Sequence, residues 1–200
     1  MGGKGRGLFA ARNLSRGSVV LTEEPTLQMD SNGNDEYKIA RDFYKLSPEV
    51  QTRVLSLHDP TPDNRDSAIL PKLCRIMNFN SCRKSNFVRE TVYQNLYLTN
   101  SFINHSCRPN CCWKPSEDSD KMSVMTLIPV QKGEEITVNY YFSIFDERGS
   151  YCLTWRERKE LINKHFAFDC LCNLCQKVYE ENVFMIFTFV RKTNICLALG

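Results

Sequence analysis

The sequence predicts an α+β fold that is mainly β, and two observations support this prediction. Short runs rich in β-branched and aromatic residues occur near the N-terminus and again over residues 111–141. Apolar residues at helical spacing are instead grouped in an insert of about residues 30–96 and in a segment that follows Thr154. Helices segregated in this way from short strands are typical of α+β domains.

The N-terminal stretch opens with glycine alternating with basic residues over residues 2–7. Glycine lets the backbone approach a ligand closely, so these residues are a candidate ligand loop. A flexible start of the chain explains them equally well. Residues 8–11 and 18–21 are predicted strands, and we expect the turn at residues 13–17 to join them into a hairpin.

The insert carries the pattern of amphipathic helices. Ile39 and Phe43 fall on one helical face, and Ser47 followed by Pro48 predicts an N-cap with proline in the first turn of a second helix. Residues 69–80 are expected to form a third helix or an irregular segment. The insert shows no catalytic constellation, so we expect its role to be structural or in substrate selection.

The pattern returns to strands after the insert. Residues 111–114 and 122–128 flank an acidic loop and predict a hairpin, and residues 135–141 predict a further strand. Thr154 and Glu157 then have the spacing of a capping box, which indicates the start of another helix.

Composition limits the possible partners. With 42% hydrophobic and 24% charged residues, the 200-residue chain is typical of one globular domain, and its net charge of +3 gives no basis for direct nucleic-acid binding. The longest apolar run, residues 183–190, is much shorter than the roughly 20 residues of a membrane helix. Ten cysteines without a secretory signal at residues 1–6 favour a reducing compartment, the nucleus or the cytoplasm. We expect a monomer that does not bind membranes.

A polar run from Asn104 to Asn110 follows residues 101–103 (SFI), which predict burial. Buried polar groups need partners, so this run predicts contacts with a ligand and a metal. His105 and Cys107 lie two residues apart and could alternatively form a nucleophilic pair. We favour the metal because a zinc-bound thiolate is not free to attack.

Three cysteines stand within six residues near the C-terminus. Their spacing suits one tetrahedral ion better than mutual disulfides, and a structural zinc site needs a fourth ligand. Cys107 is the best candidate because it lies in the polar run, with Cys111 and Cys112 as rivals. The predicted zinc ligands are Cys107, Cys170, Cys172 and Cys175.

Four separated motifs occur in a fixed order along residues 2–175. They are residues 3–10 (GKGRGLFA), 104–110 (NHSCRPN), 133–140 (GEEITVNY) and 170–175 (CLCNLC). Together they resemble the signature of SET-domain protein-lysine methyltransferases. The long insert is similar to that of SMYD-type and fungal SET proteins, but the chain has neither a MYND zinc finger nor the helical repeats of SMYD proteins.

This resemblance implies a SET-domain fold of small sheets with a helical insert and a post-SET zinc loop. In that fold the segment with Asn104 threads beneath the loop after Tyr140 to form a pseudoknot. S-adenosylmethionine would bind on one face, and the target lysine would enter by a channel from the other. The implied domains are a SET domain over residues 1–168, a zinc loop over 169–177 and a tail of unknown role over 178–200.

The resemblance also implies roles for individual residues. Phe168 would stack on the adenine of the cofactor, and the zinc ion would fix the loop that carries it. Phe166 stands where SMYD-like relatives often have tyrosine, which puts the number of transferred methyl groups, or activity itself, in doubt. The implied cofactor-binding residues are Lys4, Gly5, Arg6, Asn104, His105, Tyr140 and Phe168. The implied catalytic residues are Tyr140 and Tyr97.

The sequence therefore predicts an S-adenosylmethionine-dependent protein-lysine N-methyltransferase with one structural zinc ion and a histone or non-histone protein as substrate. An alternative is a catalytically silent SET fold that acts as a zinc-stapled protein-interaction module. A structural zinc protein without a cofactor is the third possibility.

Overall fold

The computed structural model describes residues 5–30, 37–59, 68–86, 91–143 and 153–176. Lys4 and the predicted tail over residues 178–200 lie outside these ranges. The elements in chain order are β1 (Leu8–Phe9), β2 (Val19–Glu23), β3 (Leu27–Asp30), α1 (Lys38–Lys45), α2 (Pro48–Leu55), α3 (Ile69–Asn80), β4 (Ser81–Asn86), β5 (Thr91–Leu96), β6 (Asn104–His105), β7 (Cys111–Pro115), β8 (Met122–Thr126), β9 (Glu135–Val138) and α4 (Trp155–Phe166).

The first sheet has the strand order β1-β9-β6 and brings together three of the sequence motifs. β1 pairs antiparallel with β9 through Leu8 and Ile136, while β6 pairs parallel with the other edge of β9. The predicted N-terminal hairpin is wrong, because β1 pairs with β9 and β2 pairs with β8. A two-residue strand is too short to hold a hairpin alone, and the distant β9 gives it a buried partner in Ile136.

The second sheet has the order β2-β8-β7. β7 and β8 pair antiparallel from Cys111 opposite Thr126 to Pro115 opposite Met122, which confirms the hairpin around the acidic loop. The residues of the first two sheets share one apolar core. Its fully buried members are Ala10, Ile103, Cys111, Val124, Val130, Ile136 and Val138.

The insert forms a second core of its own. Its three helices are confirmed, and Ser47 caps α2 by accepting a hydrogen bond from the Val50 N–H at 3.4 Å. The sequence did not predict the third sheet, in which β5 pairs with both β3 and β4. The buried residues of this core are Leu27, Ile39, Phe43, Val54, Leu57, Leu73, Ile76, Met77, Leu96 and Leu98.

The last helix, α4, positions the C-terminal cysteines. Thr154 and Glu157 form both bonds of the predicted capping box. The helix ends at Ala167, which adopts the left-handed conformation with φ of 56° and turns the chain toward Phe168. Three small sheets together with helices α1 to α4 confirm the mainly β α+β fold. No helix among those residues combines the length and apolar character that a bilayer span requires.

Candidate functional site

The polar run meets the segment after β9 at a crossing that is fixed by three hydrogen bonds. The Ser106 N–H donates to the Val138 carbonyl at 2.9 Å, extending the parallel pairing of β6 with β9. The Tyr140 N–H donates to Nδ1 of His105 at 3.1 Å, and the Tyr140 hydroxyl donates to the Ile103 carbonyl at 2.6 Å. Residues that are far apart in sequence are therefore held at one point.

His105 links this crossing to the cysteines. Because Nδ1 accepts from the Tyr140 N–H, the ring proton lies on Nε2, which is 3.4 Å from Sγ of Cys107. The imidazole in this tautomer donates to the sulfur and cannot remove a proton from it. This geometry disfavours the nucleophilic pair and gives His105 the role of a bridge.

Four cysteine sulfurs form a compact cluster at the end of this bridge. Those of Cys107, Cys170, Cys172 and Cys175 all lie within 4.8 Å of one another. Sγ of Cys107 is 3.8 Å from that of Cys170 and 3.6 Å from that of Cys175. Tetrahedral Zn–S bonds of about 2.3 Å would place the sulfurs about 3.8 Å apart, so the cluster has the size and donor set of a structural zinc site.

The rival ligand Cys111 lies elsewhere. It is fully buried in the core of the first two sheets, and this burial raises the pKa of its thiol to about 12. Within the four-cysteine cluster, a hydrogen bond from Cys107 lowers the pKa of Cys170, and the same bond raises the pKa of Cys107. A divalent cation would replace the shared protons and hold all four groups as thiolates.

A cavity of about 470 Å³ lies beside the crossing. This volume is within the range of ligand pockets, about 300 to 1,000 Å³. The glycine loop, the insert, the polar run and the turn after α4 all contribute to its walls. The predicted site residues that border it are Gly5, Arg6, Tyr97, Asn104, His105, Tyr140 and Phe168.

Aromatic rings surround Tyr140 in this cavity. Its ring is stacked on Trp113 with a centroid distance of 6.1 Å and an interplanar angle of 8°. The ring of Phe166 lies 5.0 Å away and that of Phe168 6.4 Å away. Burial raises the pKa of Tyr140, so its hydroxyl stays protonated at neutral pH. The aromatic side of the cavity can therefore bind an organic cation, and Tyr140 offers a neutral hydroxyl there.

Tyr97, the other predicted catalytic residue, borders the cavity but is 2% exposed. Its hydroxyl donates to the Asp120 carbonyl at 2.5 Å and accepts from Nδ2 of Asn95 at 3.2 Å. Because this hydroxyl already has two partners, the geometry favours a structural role in the cavity wall. Its catalytic role stays a prediction.

The glycine loop fits tightly against the polar run. Nδ2 of Asn104 donates to the Arg6 carbonyl at 3.0 Å and to Oε1 of Glu135 at 2.7 Å. A Cβ atom at Gly7 would lie 2.9 Å from both of these side-chain atoms, so any larger residue there would have to displace them. Gly5, with φ of +70°, has nothing within 4 Å of its Cβ position and leaves its backbone open to the cavity.

The side chain of Arg6 faces the insert. Its guanidinium lies 4.8 Å from the centre of the Phe102 ring. It donates to Oγ of Ser56 at 3.2 Å and also to the Ser56 carbonyl, at the C-terminal end of α2. A cation at this end of a helix is favourable, so Arg6 links the glycine loop to the insert.

Two cavity residues with buried, unpartnered polar atoms among the described residues were not predicted from sequence. Asn100 is 3% exposed, and neither atom of its amide has a hydrogen-bond partner among the described residues. Nε1 of Trp113 is also buried without a partner within the described part of the chain. Both residues border the cavity. In sequence, Asn100 looks like an ordinary turn residue and Trp113 like a strand residue, so no pattern marks either one.

Comparison with known proteins places this geometry in context. The family model described as SET domain matches residues 5–141, more than half of the chain. A histone-lysine N-methyltransferase named set5 from Schizosaccharomyces pombe is 24% identical over 191 residues, which cover 94% of this chain and 52% of that protein. The SET5 protein of Meyerozyma guilliermondii is 26% identical over 180 residues, covering 87% of this chain and 31% of its own length.

The human protein named histone-lysine N-methyltransferase SMYD1 is 27% identical over 105 residues, covering 47% of this chain and 19% of its own length. The chain thus spans about half the length of the fission yeast relative and less of the other two.

Proposed function

The chain belongs to the SET-domain family, and from this premise we propose that it is an S-adenosylmethionine-dependent protein-lysine N-methyltransferase. The names of the yeast and human relatives support a histone or another protein as substrate. The observation that carries the proposal is the crossing itself. It brings a neutral tyrosine hydroxyl, an aromatic wall and an open glycine backbone to one cavity beside a four-thiol cluster.

The cavity suits this cofactor in both size and donor set. Gly5 allows the backbone to approach a ligand, and Phe168 presents a ring on which an adenine can stack. Asn104 offers an amide oxygen to an amino group. Lys4, outside the described residues, and the backbone of Arg6 and His105 complete the proposed contacts. When bound, S-adenosylmethionine supplies an activated methyl group on a sulfonium centre.

The proposed chemistry requires alignment and not a strong base. The neutral lysine Nζ uses its lone pair to form the N–C bond, the electrons of the broken C–S bond return to sulfur, and one proton leaves the nitrogen for water. The Tyr140 hydroxyl donates to the Ile103 carbonyl, and a phenol oxygen can also accept a hydrogen bond that orients the amine. The rings of Trp113 and Phe166 stabilise positive charge by about 0.5–2 kcal/mol each.

The four cysteines would hold one structural Zn²⁺, which supplies a fixed anchor and no reactive group. Cys107 belongs to the polar run, and the other three ligands follow Phe168 directly. The ion would therefore hold the adenine-stacking ring against the crossing. We further propose that the protein acts as a monomer in the nucleus, the cytoplasm or both.

Methyl transfer from radiolabelled S-adenosylmethionine to core histones and to a cell extract tests this function. We expect label to appear as methyl-lysine in at least one protein, and S-adenosylhomocysteine to bind the protein in calorimetry.

The alternative function is that of a silent, zinc-stapled interaction module. It is favoured by Phe166, which offers no hydroxyl to the amine, and by the engaged hydroxyl of Tyr97. Cofactor binding without transfer to any substrate would support this alternative. If no cofactor bound at all, the chain would instead be a structural zinc protein.

A further inference from the structure

The amide of Asn104 has only one chemically acceptable orientation. Its two short contacts are to the carbonyl oxygen of Arg6 and to Oε1 of Glu135, and carbonyl and carboxylate oxygens accept hydrogen bonds. The NH₂ group must therefore face them. The amide oxygen, Oδ1, receives no hydrogen bond from any residue in the described part of the chain, and Asn104 borders the cavity.

The first sheet explains why Glu135 reaches this amide. β9 lies between β1 and β6, with Glu135 opposite Phe9 on one side and Thr137 opposite Asn104 on the other. The fit is close, because a Cβ atom at Gly7 would lie 2.9 Å from both Nδ2 of Asn104 and Oε1 of Glu135. Glu135 therefore contacts the amide on the side of its NH₂ group.

We propose that Glu135 is a positioning residue for the cofactor: by binding Nδ2 of Asn104, it presents Oδ1 to the cavity as the acceptor for the cofactor's amino group. This inference rests on the proposed function. Arg6 supplies the second restraint on the amide through its backbone, which a substitution of its side chain would not remove. Glu135 is thus the restraint that mutagenesis can test.

A paired binding experiment separates this role from a structural one. S-adenosylhomocysteine carries the amino group, whereas 5′-methylthioadenosine retains the adenosine and the sulfur but lacks the amino acid portion. We would measure the binding of both compounds by calorimetry to the wild-type protein and to three variants, Glu135→Ala, Glu135→Asp and Glu135→Gln. Thermal unfolding and zinc content would be recorded for each to verify folding.

Glu135→Ala should weaken S-adenosylhomocysteine binding about tenfold, the loss expected for a restrained hydrogen bond, and leave methylthioadenosine binding within about twofold. Glu135→Asp should behave in the same way, because it keeps the charge but withdraws the acceptor from Nδ2. Glu135→Gln should retain S-adenosylhomocysteine affinity within about threefold, because its amide oxygen can still accept.

Three results would overturn the inference: equal weakening of both compounds, unchanged S-adenosylhomocysteine binding in Glu135→Ala and Glu135→Asp, or a Glu135→Gln variant as weak as Glu135→Ala. The last would mean that the charge acts on the ligand directly. A wild-type protein that binds neither compound would contradict the proposed cofactor itself, a result that is distinct from the other three.

Discussion

Gly7→Ala is a substitution whose effect follows from two distances in the structure. The new Cβ would lie 2.9 Å from Nδ2 of Asn104 and 2.9 Å from Oε1 of Glu135, whereas ordinary contacts begin at 3.4 Å. Both atoms are side-chain ends that would have to withdraw by about half an ångström, which distorts the 2.7 Å hydrogen bond between them. The φ angle of Gly7 is not in the left-handed region, so steric contact is the source of the effect.

A hydrogen bond to a charged group contributes about 1.5–3 kcal/mol, and overpacking typically costs about 1–3 kcal/mol. We therefore expect Gly7→Ala to lower the free energy of unfolding by about 2 kcal/mol, measured in urea, and to weaken S-adenosylhomocysteine binding at least about tenfold.

Gly17→Ala is the matched control. Gly17 has φ of +79° and nothing within 4 Å of its Cβ position, and it does not border the cavity. It should lose about 1–2 kcal/mol through backbone strain alone, with cofactor affinity unchanged. If Gly7→Ala bound the cofactor as tightly as wild type at this loss of stability, the packing argument for the glycine loop would be refuted.

Three further predictions concern other parts of the site. Cys107→Ser should reduce the zinc content below the one ion per chain expected for the wild type by metal analysis; equal zinc in both would show that Cys107 is not a ligand. Asn100→Leu should raise the free energy of unfolding by about 1–2 kcal/mol, because it removes a buried amide without partners among the described residues. The same variant should slow methyl transfer. If the variant were less stable than wild type, the Asn100 amide would be hydrogen-bonded in solution. Because burial raises the pKa of Tyr140, its hydroxyl should stay protonated across the pH range of the assay. The rate of methyl transfer should then rise with pH as the substrate lysine deprotonates toward its pKa of about 10.4. A fall in this rate between pH 8 and about 10 would indicate that Tyr140 ionises.

The sequence predicted those features that depend on local pattern. Ser47 before Pro48, and Thr154 with Glu157, are short-range signals, and both helices begin where these signals indicate. The cysteine spacing likewise indicated a cluster that could hold a metal ion, because three of its four cysteines are neighbours in the chain.

Other features depend on partners far away in sequence. β1 pairs with β9, more than a hundred residues later, and nothing in its two residues encodes that choice. The third sheet inside the insert was missed because the helical spacing around it dominated the pattern.

Side-chain partners were the least predictable part of the site. Tyr97 was predicted to be catalytic and borders the cavity, but its hydroxyl donates to the Asp120 carbonyl. Arg6 was expected to contribute backbone to the cofactor site, and its side chain also reaches the insert. A residue type and its spacing indicate which chemistry is available, whereas the direction of each side chain depends on the packed core.

The proposed reaction depends above all on Tyr140, whose hydroxyl orients the substrate amine. A kinetic comparison of wild type with Tyr140→Phe tests this role. Methyl transfer to the best substrate would be measured for wild type and Tyr140→Phe, together with S-adenosylhomocysteine affinity. We expect kcat to fall about a hundredfold, because the orienting group at the reacting nitrogen is lost, while the Kd stays within about threefold. Unchanged transfer by Tyr140→Phe would contradict this role.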